Sequence, residues 1–353
     1  MLLCQFVVLL VSLLATSQAA TPAKSITDLF QISVDSTVGE NCARYGTDRL
    51  QQSLNDALTL CNEAIDGMND YINSNRGSAT LLEARRLINA YFRNPPVADR
   101  PTLLSNYQKV ANWITSGGPV NNGQNPNKPW LFCSDSWLLR KSMSDQAFDK
   151  NGQPVTNGNG SPSLISDNPN YVAAQQKETN AQDGDQAYPY WSSVLNTYVF
   201  DVAHGPSATD GYCTAPGNKG ATNHEGMFSV VTICPQSFTG VGIRSVTATP
   251  IAKSQIKRGT PPAGAQPLGA VLPEATTLFH ELFHLVLGFQ TTLPDDGIEE
   301  YGTSEMLQII RVDAAQNPET YIAVATAYDY TLNAGQDSKG NRIEFFSGYA
   351  TQG

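Results

Sequence analysis

Apolar residues recur at helical spacing early in the chain and give way to short β-branched and aromatic runs later. Residues 44–73 place Leu50, Leu54, Leu58, Ile65 and Met68 on related faces of one helix, and Asn75, Gly77 and Ser78 end the pattern. Thr80-Leu81-Leu82-Glu83 has the spacing of a capping box, in which hydroxyl and carboxylate each accept the other's backbone N–H. It predicts a second helix to about residue 92, stopped by Asn94-Pro95-Pro96. A third helix is predicted over 102–114, ending at Gly117-Gly118. These three read as a packed helical lobe.

Polarity then rises. Residues 121–128 and 149–185 are rich in Asn, Gly, Pro, Ser and Gln and read as long surface loops, with a mobile flap among the options. Between them, 130–139 is apolar enough to be buried. Stretches 198–203, 228–233 and 241–249 have the composition of strands. Residues 218–225 read as a polar turn and 251–269 as a Pro/Gly-rich loop. A last strong pattern starts at Pro273-Glu274, suited to a first helical turn, runs through an apolar stretch and stops at Gly288.

Residues 1–20 change the picture of where the chain works. They are apolar and end in Ser17-Gln18-Ala19-Ala20, like a secretory signal peptide, although no Lys or Arg marks the start. The run is too short to span a bilayer. A secreted protein is expected, with 21–353 as one catalytic domain carrying a loop-rich insertion around 118–215. A net charge of −10 and a pI near 4.8 argue against nucleic acid or an anionic membrane as partner.

Cys4 belongs to the leader, which leaves Cys42, Cys61, Cys133, Cys213 and Cys234. In an oxidising compartment they suggest two disulfides and one cysteine left over. A continuous helix over 44–73 would hold Cys42 and Cys61 nearly ~30 Å apart at about 1.5 Å per residue, too far to bridge. No Cys-x-x-Cys pair exists, so zinc binding by thiolates is not expected.

The candidate chemistry lies in His280-Glu281-Leu282-Phe283-His284. Two histidines four residues apart project from one face of a helix and can grip one zinc ion, and Glu281 between them is placed as general base. The chain has four histidines in all, which makes a chance match rare. The plain alternative is a buried helix with two satisfied histidines, but burying two imidazoles and a carboxylate without a partner is costly. His204 and His224 read as surface or structural histidines. A catalytic zinc keeps three protein ligands, and the acids downstream are Asp295, Asp296, Glu299, Glu300 and Glu305.

Residues 294–302, followed by a helix and then by Asn317-Pro318-Glu319-Thr320-Tyr321, resemble the aspzincins. These are the secreted, mainly fungal deuterolysins and peptidyl-lysine metalloendopeptidases. Their pattern is HExxH, an Asp ligand in GTxxDxxYG, a helix and an Asn-x-x-x-Tyr segment. His280, Glu281, His284, Tyr301 and Gly302 match it directly. Thr232-Ile233-Cys234-Pro235-Gln236-Ser237-Phe238 is similar to the family's strand ending in Cys-Pro-x-Phe, and the helix through Tyr91-Phe92 to its N-terminal half. The pattern departs at the ligand, whose position here is Ile298, while Leu293-Pro294 stands for Gly-Thr. Asp296 is the preferred third ligand, with Glu299 next and Glu300, Asp295 and Glu305 open.

The resemblance implies an α+β zincin-like fold and one Zn2+ per chain. It implies a metalloendopeptidase acting on protein or peptide substrates, with Tyr301 donating to the oxyanion, and a monomer is expected. An extended substrate would pair with an edge strand above the metal, and 228–233 is the candidate sheet strand. No basic pair marks a convincing pro-segment. The rivals are a zincin-like protein that binds zinc without turnover, and a glycan binder using Trp130, Trp137 and Trp191.

Overall fold

The computed structural model describes residues 21–32, 42–73, 79–169, 172–173, 188–201, 211–214, 217–225, 227–238, 265–294, 297–333 and 342–352. The leader at 1–20, the strand expected at 241–249, His204, and both Asp295 and Asp296 lie outside them.

The architecture is mixed α+β. After a short α1 (Ile26–Leu29), the helical layer consists of α2 (Thr47–Asn73), α3 (Ala79–Tyr91) and α4 (Arg100–Ser116). Leu50, Leu54, Ala57, Cys61, Ala64 and Met68 of α2 are buried at intervals of three and four, the stripe that the sequence displays. Helix α3 begins one residue before Thr80, so that hydroxyl is no cap; it donates to Asp70 Oδ2 of α2 at 2.8 Å. Pro101 sits in the first turn of α4, where its missing N–H costs nothing.

Helix α5 (Ala275–Leu287) lies between this layer and a sheet, packed on α2 and α4 on one side and on β6 and β7 on the other. At its start, Glu274 takes two bonds from Arg49 of α2, at 2.6 and 2.5 Å. Helices α6 (Phe289–Thr292), α7 (Thr303–Met306), α8 (Arg311–Gln316) and α9 (Pro318–Asn333) follow, with α9 against α2, α3 and α5.

The main sheet runs β1 (Gln31–Ile32), β2 (Trp130–Phe132), β7 (Phe228–Ile233) and β6 (Gly220–Glu225). The first three are mutually parallel; β6 runs antiparallel to β7, pairs Thr222 with Val231, and forms the edge. Residues 218–225 are therefore not the polar turn the composition suggested, and the interior strand 228–233 is not the edge. Composition misled because polar side chains of β6 find partners outside the strand: Thr222 bonds α5, His224 bonds Ser229 Oγ and approaches the His284 carbonyl, and Asn223 Nδ2 donates to the Tyr212 hydroxyl.

A second antiparallel sheet joins β3 (Leu139–Arg140), β4 (Tyr188–Ser192) and β5 (Thr197–Asp201). It closes a small core of Phe132, Trp137, Tyr190, Leu195, Val199 and Val230 against the main sheet. Strands β8 (Ile343–Glu344) and β9 (Thr351–Gln352) pair with each other. Trp137 and Trp191 are buried, so neither offers a glycan platform; both anchor cores.

Two disulfides, Cys42–Cys133 and Cys213–Cys234, leave Cys61 free and buried in α2. The count and the exclusion of a Cys42–Cys61 bridge match the sequence argument. Among the described residues no helix is long and apolar enough to cross a membrane.

Candidate metal centre

Helix α5 buries nearly every side chain it carries, His280, Glu281 and His284 included. Its last turn is closed with care. Gly288, at φ +77°, returns its N–H to the His284 carbonyl at 2.9 Å, a backbone turn that a side chain would strain. The N–H groups of Asn121 and Asn122 satisfy the carbonyls of Leu285 and Val286 at 2.7 and 2.9 Å. Helix α6 then brings Thr292 back to His284.

The outer nitrogens of both imidazoles are engaged. His284 Nδ1 is 2.9 Å from Thr292 Oγ1, and that hydroxyl donates its own proton to the Gly288 carbonyl at 3.0 Å. With its proton placed there, Thr292 accepts from Nδ1–H of His284, the tautomer that frees Nε2 for a metal. His280 Nδ1 faces Glu319 Oε2 at 3.2 Å, and a carboxylate likewise accepts. With the rings neutral, as a metal requires, both Nε2 atoms carry lone pairs aimed inward, 3.1 Å from each other.

Glu299 completes the group. Its Oε1 lies 2.8 Å from His284 Nε2 and its Oε2 3.3 Å from His280 Nε2. Three donors bound to one tetrahedral zinc at about 2.0–2.1 Å would sit roughly 3.3 Å apart. The imidazole nitrogens lie 3.1 Å apart, and each has a different Glu299 oxygen at 2.8 or 3.3 Å, spacings near that value. Glu299 Oε1 is moreover buried without a hydrogen bond, an orphaned acceptor among acceptors. His280, His284 and Glu299 can hold a metal ion, and their donor set fits.

The electrostatics point the same way. Burial opposes a charge on His280, but the carboxylates of Glu299 and Glu319 outweigh it and raise its pKa well above the imidazole range. Burial likewise opposes ionisation of Glu299, yet the two imidazoles hold its carboxyl far below the usual range. These shifts belong to the metal-free state, in which protons on the imidazoles supply the positive charge that the carboxylates favour; a bound cation would replace them. Glu281 is shifted upward by burial, an effect that both histidines and Thr222 partly offset.

Asp296, the preferred third ligand on sequence grounds, lies outside the described residues. Of the alternatives it is Glu299 that reaches the histidines. Glu300 contributes its backbone carbonyl to Asn317 Nδ2 at 2.9 Å, and Glu305 sits exposed on α7. Tyr301 stacks on His280 with ring centroids 5.6 Å apart, and its hydroxyl donates to Glu299 Oε2 at 2.5 Å. It reaches the centre, but through the Glu299 carboxylate. His224 is structural, as expected, packed on Phe289 with both ring nitrogens engaged.

Sequence reasoning missed Thr222, Thr292 and Glu319. Glu319 falls in the segment from Asn317 to Tyr321, but the signal there came from its neighbours. No local pattern marks the two threonines.

Cavities open on both sides of the centre. One, of about 560 Å³, is lined by Lys219, Leu272, Thr277 and Glu319; the other, of about 470 Å³, by Tyr212, Phe289, Leu293 and Ile298. They meet at Gly220, His280, Glu281 and Tyr301. No family model, curated protein or solved structure matches this chain.

Proposed function

We propose that this protein is a secreted, zincin-like zinc metalloendopeptidase in which His280, His284 and Glu299 hold the metal and Glu281 is the general base. The observation that carries the reading is the convergence of two imidazole Nε2 atoms, each ring held by an outer partner at Nδ1, on the buried carboxylate of Glu299, whose Oε1 lacks any hydrogen bond. Nitrogen donors with a single carboxylate favour zinc over calcium or magnesium. When bound, the ion would supply a Lewis acid for a carbonyl oxygen and lower the pKa of water at the site.

The chain's own residues would do the rest. Glu281 takes a proton from the attacking water and returns it to the departing amine. Glu319 and Thr292 keep the ring orientations. The edge of β6 offers backbone groups to an extended peptide, and a cleft open on both sides of Glu281 suits cleavage within a chain rather than at its end. The two disulfides fit an oxidising compartment.

One observation favours a second reading, zinc binding without turnover: the Tyr301 hydroxyl is committed to Glu299 and not to the cleft. Metal analysis of the purified protein, with hydrolysis of casein before and after chelation, separates the two. The proposal expects one zinc per chain and chelator-sensitive cleavage; zinc without cleavage supports the alternative, and no metal rejects both. Glu281→Gln should keep the zinc and lose hydrolysis by at least about 10²-fold, the scale of a general base.

A further inference from the structure

On the metallopeptidase reading, we propose that the edge strand β6 is part of the proton-transfer apparatus, with Thr222 as a positioning residue for the Glu281 carboxylate and Gly220 as the gap into which its free oxygen faces. The terminal torsion of a glutamate is broad and sets no carboxylate plane by itself. In a buried helix, something else must orient Glu281. Thr222 Oγ1 donates to Glu281 Oε2 at 2.8 Å and also lies 3.2 Å from the Glu281 carbonyl. A hydroxyl has one proton to give, and the nearer, charged oxygen takes it. Thr222 is itself buried and held in mid-strand opposite Val231. One carboxylate oxygen is thereby pinned, which leaves Oε1 as the acceptor for water.

Gly220 supplies the complementary condition two residues earlier on the same face of the strand. A Cβ added there would come within 2.6 Å of Glu281 Oε1 and 3.1 Å of its Cγ. The terminal carboxylate, not the backbone, would give way. The strand that offers its edge to substrate thus also sets where the base points.

A satisfied core hydrogen bond would look the same in the structure, so the test must separate positioning from packing. Thr222→Val keeps the shape and removes the donor; Thr222→Ser keeps the donor. Steady-state kinetics on one fluorogenic peptide, with zinc content and thermal midpoint, should show Thr222→Val lowered about 10- to 100-fold in kcat, a fraction of a general base's worth. Its KM should stay within about twofold and its zinc at one per chain, while Thr222→Ser returns most of the lost kcat. Wild-type kcat in Thr222→Val, equal losses in both variants, or a loss confined to KM overturns the inference. Should Thr222→Val not fold, Gly220→Ala decides: reduced kcat with zinc retained supports it, and unchanged kcat overturns it. A wild-type protein that binds zinc and cleaves nothing defeats the peptidase reading itself, and this inference falls with it.

Discussion

At the residue scale, the centre is decided by where a few protons can be. With the Thr292 proton on the Gly288 carbonyl, His284 donates to Thr292 from Nδ1, and the Glu319 carboxylate accepts from Nδ1 of His280, which together free both Nε2 atoms. Replacing Glu299 with Ala should abolish stoichiometric zinc binding, while Asp296→Ala should leave it intact; metal analysis after dialysis checks both, and the reverse result would make Asp296 the ligand. Thr292→Val and Glu319→Gln should weaken zinc affinity about 10- to 100-fold without removing a ligand, measured by competition with a chromogenic chelator. The histidines and Glu281 were legible in the sequence because helical periodicity alone puts positions four apart on one face. Glu299 stood second among five acids, behind Asp296. What selects it is tertiary: Asn317 holds the Glu300 carbonyl and Tyr301 holds the carboxylate itself, and no short-range pattern encodes either contact.

At the scale of elements, helices with an apolar stripe were legible almost to their ends, and the strand that matters most was not. Strand β6 is short and polar, and it exists because β7 pairs with it and α5 absorbs its hydroxyl and imidazole. The α2–α9 contact holds a further feature that propensity cannot show. Asn333 Nδ2 donates to both Asp329 Oδ1, at 2.7 Å, and Glu63 Oε1, at 3.3 Å. Burial raises the pKa of Glu63, and nearby Asp329 and Asp66 add to the rise; burial also raises that of Asp329, with Asp56 adding to it. Folded carboxyls that hold protons more tightly than unfolded ones contribute stability below the ordinary carboxylate range and lose it as pH climbs through the raised values. Asp329→Asn should therefore stabilise the protein at pH 7 and have little effect near pH 4. Urea midpoints at both values test this, and an equal effect at both would refute it. At the end of α5, Gly288→Ala should cost about 1 kcal/mol or more, because the left-handed turn disfavours any Cβ.

For the whole molecule, the α+β class and the two-disulfide count were legible, while the pairing was not, since it depends on which chain ends meet in space. Cys42, just before α2, joins Cys133, just after β2, and so ties the helical layer to the sheet across 91 residues of chain. Loop-closure entropy puts that bridge at roughly 4–5 kcal/mol and the 21-residue Cys213–Cys234 loop at about 3. Cys42→Ser/Cys133→Ser should accordingly lower the thermal midpoint more than the matching change at 213 and 234. Calorimetry of the two double variants decides the order. The two histidines and Glu299 enter the centre from opposite ends of the stretch that contains α6. An ion gripped by all three would fasten that stretch like a clasp, and stripping it should expose 285–298 to nicking by a non-specific serine protease well before the helical layer is touched.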